Sequence, residues 1–238
     1  MNINDLKQAG SLIKKYGVKA ILYGQPGTGK TPLINTAPRP VILATEPGLL
    51  SMKGSQVPTW EAFTIEKIGE FFKWFTESKE AANFDTLAID SGSQLAEISL
   101  NYHLERNKDG RKAYGELSIE VMKWFDSLYY MPQKHILLIC KQMSAEVGKQ
   151  VMKQAGAFVV EMVYQAQPYF PGKDLNIKIP HRYDEILHIS KVSIPGMVEP
   201  QMAIRSKGTA EILARDRSGM LAELEPLNLT NLFNKCMS

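Results

Sequence analysis

Residues 24–31 read Gly24-Gln25-Pro26-Gly27-Thr28-Gly29-Lys30-Thr31, which fits the pattern G-x-x-x-x-G-K-[ST]. A short apolar run, VKAILY at 18–23, leads into it and reads as a buried strand. The physical need for such a loop is a triphosphate, whose oxygens are met by successive backbone N–H groups. Glycines let the loop wrap closely, and a helix start behind it favours negative charge. Lys30 is placed to reach the β and γ phosphates, and the Thr31 hydroxyl to ligate Mg²⁺. Pro32 falls in the first turn of the short helix expected over 30–36, where its missing N–H matters little. The plain alternative is an ordinary Gly-rich turn.

Outward from this loop, strands and helices alternate. PVILATE at 40–46 and FDTLAID at 84–90 read as the second and third strands, and HILLIC at 135–140 as the fourth. Phe63, Ile65, Ile68, Phe71, Phe72 and Phe75 recur at threes and fours, so 61–79 reads as an amphipathic helix. Helices are also expected over 92–106 and 115–130, with the polar turn NKDGRK between them. This alternation predicts an α/β fold, a mostly parallel sheet with helices on both faces. EILHISKV at 185–192, then 200–205 and 210–214, read as consecutive strands forming an antiparallel edge of the same sheet. Residues 143–170 have no clear period and predict a mobile loop rather than a strand. No linker marks a second domain, so 1–238 is expected to be one domain, with 1–17 a lead-in.

In a parallel sheet the strand ends line one edge, where ligands bind. Asp90 ends the third strand and is the candidate carboxylate for the Mg²⁺ shell; its alternative is a turn-starting Asx contact. Glu46 ends the strand after the phosphate loop, where a carboxylate can orient the water that attacks a γ-phosphate. Gln142 ends the fourth strand, just after Lys141, and its amide can hydrogen-bond the γ-phosphate or the attacking water. Arg215 and Arg217, two apart on an extended segment, project to one side and could clamp phosphate charge, on this subunit or a neighbour. Solvated surface groups are the alternative reading for Glu46, Gln142 and both arginines.

The composition sets limits. The chain has 238 residues, 44% hydrophobic and 22% charged, with a formal charge of +3, so any polyanion-binding surface must be local. Two cysteines, Cys140 and Cys236, make no disulfide framework. No apolar run approaches the ~18 residues of a membrane span, and the N-terminus has no basic-then-apolar leader pattern, so the expectation is a cytoplasmic protein that does not engage membrane. His103, His135, His181 and His188 have no spacing that suggests a metal site. Two stretches concentrate positive charge: Arg106, Lys108, Arg111 and Lys112 in one, Lys141, Lys149 and Lys153 in the other. Tyr102, Tyr114, Tyr169 and Phe170 lie nearby in sequence and could stack on bases. Charge-mixed surface accounts for either stretch equally well.

The order GQPGTGKT, a strand ending in Glu46, FDTLAIDS, ILLICKQ and ARDRSGML resembles the RecA-like branch of P-loop ATPases, over roughly 18–225. Within it the chain is similar to compact phage-encoded nucleotide-binding proteins, some classed as Sak-type single-strand annealing ATPases. The resemblance implies ATP and Mg²⁺ as ligands, Glu46 as the catalytic glutamate and Asp90 as the Walker B acid. It also implies Gln142 at the root of a DNA-binding loop, and Arg215 and Arg217 as the pair reaching a neighbour's nucleotide, although the family pattern has Lys first. Single-stranded DNA, a homo-oligomer (ring or filament) with nucleotide at its interfaces, and a single-stranded DNA-binding protein are the implied partners. For a phage protein the setting is the host cytoplasm. A helicase-loader-like AAA ATPase indifferent to DNA, a small kinase, or an annealing module with vestigial hydrolysis remain open alternatives.

Overall fold

The computed structural model describes residues 16–152, 158–193, 196 and 198–238. Its strands are β1 (Lys19–Tyr23), β2 (Pro40–Ala44), β3 (Thr59–Glu61), β4 (Thr86–Asp90), β5 (His135–Cys140), β6 (Gln142–Met152), β7 (Phe158–Pro168), β8 (Glu185–Val192), β9 (Gln201–Arg205), β10 (Arg215–Asp216) and β11 (Leu224–Glu225). The α-helices are α1 (Lys30–Leu33), α2 (Ile65–Glu77), α3 (Gly92–Arg106), α4 (Gly110–Tyr129), α5 (Lys173–Arg182) and α6 (Leu229–Cys236).

The main sheet runs β11-β9-β8-β1-β5-β4-β2-β3, with β10 also paired to β8. From β8 to β3 every pairing is parallel. β9, β10 and β11 pair antiparallel. This is the expected mostly parallel α/β fold with an antiparallel edge, and the antiparallel part begins one strand later than 185–192. β1, β4 and β5 are almost wholly buried, which is why they read as apolar runs. On one face Ile21, Leu43, Ile89 and Leu138 pack under α2, α3, α4 and α5. On the other, Leu22, Ile42 and Ile139 pack with Leu33 of α1 and Phe233 of α6. α2 is pinned at its start by Thr64, whose side chain accepts from Lys67 N, and buries Ile68, Phe71, Phe72 and Phe75.

Three readings need correction. Residues 143–170 are not a featureless loop: β6 and β7 form a two-stranded antiparallel hairpin, with Val147 opposite Val163 and Lys149 opposite Glu161. Residues 210–214 are not a strand of the sheet; Ile212 instead bridges to Ala166 at the hairpin's base. The turn at 107–112 is shorter than expected, because Asp109 caps α4 from Arg111 N and starts it at Gly110.

Candidate nucleotide site

The parallel pairing brings the carboxy-terminal ends of β1, β5, β4 and β2 to one edge, in that order. The phosphate loop leaves β1 at Gly24. A Cβ on Gly24 would lie 2.4 Å from Ile189 O of β8, so only glycine fits between the two strands. Gly29 turns the chain into α1 with a positive φ of 84°. Thr28 Oγ1 donates to Gln25 O at 2.8 Å and closes the loop on itself. The Lys30 amine donates to Gly24 O and Gln25 O, both at 2.8 Å. Burial lowers its pKa, and the carboxylates of Asp90 and Glu46 oppose that shift. Gln25, Pro26 and Gly27 form the exposed outer arc, and Pro32 sits in the first turn of α1.

Thr31 follows, and its Oγ1 donates to Asp90 Oδ2 at 2.6 Å. Asp90 is buried at the end of β4. Burial pushes its carboxyl above the usual range, the Thr31 hydroxyl opposes that shift, and Glu46 adds to it. A hydroxyl and a carboxylate are hard oxygen donors, the chemistry that suits Mg²⁺. The pair fits the cation that accompanies a nucleoside triphosphate, whose charge that cation neutralises.

Glu46 lies two residues past β2, beside an open cavity of about 540 Å³ also lined by Thr45, Phe63, Gln94 and Ile98. Thr45 holds it there, a residue the sequence reading missed. Thr45 N donates to Asp90 O, its hydroxyl donates to Ser91 O at 2.8 Å, and Ser91 N donates back to that hydroxyl at 3.0 Å. The backbone carrying Glu46 is thereby stitched to the backbone carrying Asp90. A lone Thr next to a charged residue has no distinguishing pattern in sequence.

Gln142 opens β6, and its Oε1 lies 3.0 Å from His188 Nε2. Both ends of the hairpin are tied to the start of α3. Ser93 Oγ donates to Tyr169 O beyond β7 and accepts from Lys141 N before β6. Lys141 Nζ also donates to Gln94 Oε1 and Glu97 Oε2. The hairpin therefore grows from the same edge as Asp90. Its face carries Val160, Met162 and Tyr164, all exposed, the tyrosine at 72%.

The arginine pair is placed elsewhere. β10 meets β8 at Ile186 and Glu185, residues level with Ile21 and Ala20 of β1, towards the amino-terminal edge. Arg215 donates to Pro180 O and Tyr183 O, and Arg217 to Asp184 Oδ1 and His181 O. Both guanidiniums bond to the segment 180–184. They satisfy carbonyls at the end of α5 and do not reach this chain's phosphate loop. A cavity of about 620 Å³ also lies at that far edge, between Lys19, Tyr129, Glu185 and Met237.

The basic residues fall on two separate elements. Arg106 stacks over the Tyr102 ring at 3.5 Å at the end of α3, with Lys108, Arg111 and Lys112 following in the α3–α4 turn and the start of α4. Lys149 lies on β6, exposed, and Lys153 falls outside the described residues. Among the described residues no helix is long and apolar enough to cross a membrane, and no cluster of His, Cys, Asp and Glu gathers as a separate metal site.

A family model described as an AAA domain matches residues 16–217. No curated protein matches the chain. Among solved structures, similar chains include a KaiC-like protein of the hyperthermophilic archaeon Pyrococcus horikoshii, at 13% identity over 84% of this chain and 82% of that one, with a TM-score of 0.41. The RadB recombinase is 17% identical over 83% and 92%, with a TM-score of 0.41. The flagellar accessory protein FlaH of Methanocaldococcus jannaschii is 11% identical over 84% of each chain, with a TM-score of 0.40. Likenesses this distant assign no residue a role. The family match spans the phosphate loop, Glu46, Asp90 and the hairpin together, and by it the chain belongs to the AAA-domain family of P-loop ATPases.

Proposed function

We propose that this chain is a Mg²⁺-ATP-hydrolysing motor that acts on single-stranded DNA as a homo-oligomer, in strand annealing, recombination or replication. The observation that carries this reading is the origin of the hairpin. Its first residue, Gln142, stands at the sheet edge that holds Lys30, Thr31 and Asp90, and its two roots are bonded to Ser93, three residues past Asp90. A change at the nucleotide thus has a short covalent and hydrogen-bonded path to an exposed β-ribbon.

In this reading the phosphate loop and Lys30 hold the triphosphate, and Thr31 and Asp90 hold Mg²⁺, which neutralises phosphate charge when bound. Glu46 orients the attacking water and accepts its proton. Gln142 responds to the terminal phosphate. Tyr164 offers a stacking surface, and Lys149 with the α3–α4 turn offers phosphate contacts that gain strength when many subunits line one strand. The resemblance to Sak-type annealing ATPases supports a phage-encoded protein working in the host cytoplasm, beside a single-stranded DNA-binding protein.

The test is the steady-state ATPase rate with and without single-stranded DNA at low salt, across protein concentration. A rate that rises with DNA, and faster than linearly with protein, is expected. A rate indifferent to both overturns the DNA-motor reading. It would favour a self-contained AAA ATPase of the helicase-loader kind, a reading that the AAA-domain match supports equally. Annealing by Lys30→Ala equal to that of the wild type would instead mark hydrolysis as dispensable.

A further inference from the structure

β8 lies beside the phosphate-loop strand, and its register sets His188 level with Tyr23, the last residue of β1. The imidazole is 5% exposed. Its ring centroid stands 4.9 Å from that of Tyr23. Tyr23 is itself fixed, because its hydroxyl donates to Ala166 O at 2.9 Å and to Leu213 O at 2.7 Å. The histidine is thus held against a wall that cannot easily move.

Its Nε2 lies 3.0 Å from Gln142 Oε1. A carboxamide oxygen only accepts, so Nε2 carries the proton and Nδ1 is the bare nitrogen. Nδ1 is buried without a partner, which the ring tolerates better as a lone pair than as an N–H. Burial, with the charges of Arg205 and Lys30, lowers the imidazole pKa to about 4, so the ring is neutral at physiological pH. A free glutamine amide can turn either its oxygen or its NH₂ to a ligand. With the oxygen bound to His188, Gln142 has only N–H donors left to offer. A donor is the polarity that a phosphate oxygen requires, and the opposite orientation would set oxygen against oxygen.

We infer that His188 is a positioning residue, which holds the Gln142 carboxamide by its oxygen so that the NH₂ group serves the terminal phosphate. The inference rests on the reading that Gln142 meets that phosphate. It also gives a buried histidine on an apolar strand a task other than filling space. Because Gln142 is the first residue of β6, the same hydrogen bond links β8 to the hairpin root.

The experiment compares four variants of the full chain in ATP turnover, in Mg²⁺-ATP affinity and in melting temperature. His188→Phe keeps a ring against Tyr23 and removes the donor. His188→Gln keeps an N–H within reach of Oε1. Gln142→Ala removes the positioned group, and His188→Phe with Gln142→Ala closes the cycle. The expected result is a fall of about tenfold in kcat for His188→Phe with KM within about twofold, and recovery to within about threefold of wild type in His188→Gln. In the Gln142→Ala background, His188→Phe should add no further loss. If Gln142→Ala lowers kcat while His188→Phe does not, or if the two losses multiply, His188 does not act through Gln142 and the inference is overturned alone. If Gln142→Ala leaves kcat unchanged, the phosphate role of Gln142 fails and the inference falls with it. Should His188→Phe not fold, a well-folded His188→Gln with wild-type KM decides the matter: near-wild-type kcat supports positioning, and a tenfold loss refutes it.

Discussion

Thr31 Oγ1 and Asp90 Oδ2, 59 residues apart in sequence, are 2.6 Å apart in space. The contact is made possible by β5, which inserts between β1 and β4 and leaves their ends within reach across one intervening strand. Burial holds the Asp90 pKa above the normal carboxylate range. A cation bound there competes with protonation of Asp90 and replaces the hydrogen bond between Thr31 and its carboxylate. Mg²⁺-dependent ATP affinity should therefore fall as pH is lowered through that raised pKa. Asp90→Asn should abolish the pH dependence and weaken Mg²⁺-ATP binding at least tenfold, roughly the loss expected for one charged ligand. Titration with a fluorescent ATP analogue between pH 5 and 8, with and without Mg²⁺, reads both effects.

Glu46→Gln should leave ATP affinity within about twofold and reduce turnover by about 10²-fold or more, the range of a lost general base. Thr45→Val should act on the same step indirectly. It removes the hydroxyl that pairs with Ser91 N and Ser91 O, at a stability loss of about 1–3 kcal/mol for buried groups left unpaired. Its turnover should fall further than its ATP affinity. A Thr45→Val protein with lowered stability and full turnover would show that the stitch is structural only.

Arg215 is predicted to matter for folding and not for chemistry. Arg215→Ala strips two carbonyls at the end of α5 of their donor, and stability should fall by about 1–3 kcal/mol. Mixing Arg215→Ala with Lys30→Ala subunits tests for an arginine acting across an interface. Restored ATPase in the mixture would return Arg215 to the active site.

Tyr164 is exposed on the hairpin and supports no core. Tyr164→Ala should leave the melting temperature unchanged and weaken single-stranded DNA binding by about 1–3 kcal/mol, the usual value of a lost base-stacking platform. Lys149→Ala should reduce the salt dependence of binding by about one phosphate contact per subunit. Fluorescence anisotropy at several salt concentrations separates the two effects, and unaltered binding in both variants would remove the hairpin from the DNA interface.

Glu185, at the far edge of the sheet, predicts a pH-dependent stability. Burial and the Asp216 charge raise its pKa from 4.5 to about 8. A carboxyl whose folded pKa is raised stabilises the fold fully below its unfolded pKa, and that contribution is lost as pH rises through the folded value. The loss should therefore fall between about pH 5 and pH 8. Its size should be on the order of 2 kcal/mol once solvent screening is allowed for. Glu185→Gln should flatten the urea-denaturation midpoint over that window.

Much of the candidate nucleotide site was legible because it lies at strand ends. An apolar run that ends on Asp90, or within two residues before Glu46 or Gln142, places the residue at one edge once the sheet is parallel, and GQPGTGKT names the ligand class that edge receives. The β6–β7 hairpin was not legible, because solvent reaches both of its faces. No single face must be apolar, so Tyr164 stands opposite Glu146 and Met162 opposite Gly148, and the period of two is blurred.

The sequence by itself determined the phosphate loop, the strand–helix alternation and hence the parallel sheet, since these depend on local spacing and on runs of buried residues. Only the tertiary structure decided that Arg215 and Arg217 finish α5, that Thr45 binds the two acidic strand ends together, that Ser93 ties both hairpin roots, and that His188 meets Gln142. Each of these is a hydrogen bond between residues 32 to 76 positions apart. A polar side chain announces in sequence that it needs a partner, and only the packed chain specifies which one it finds.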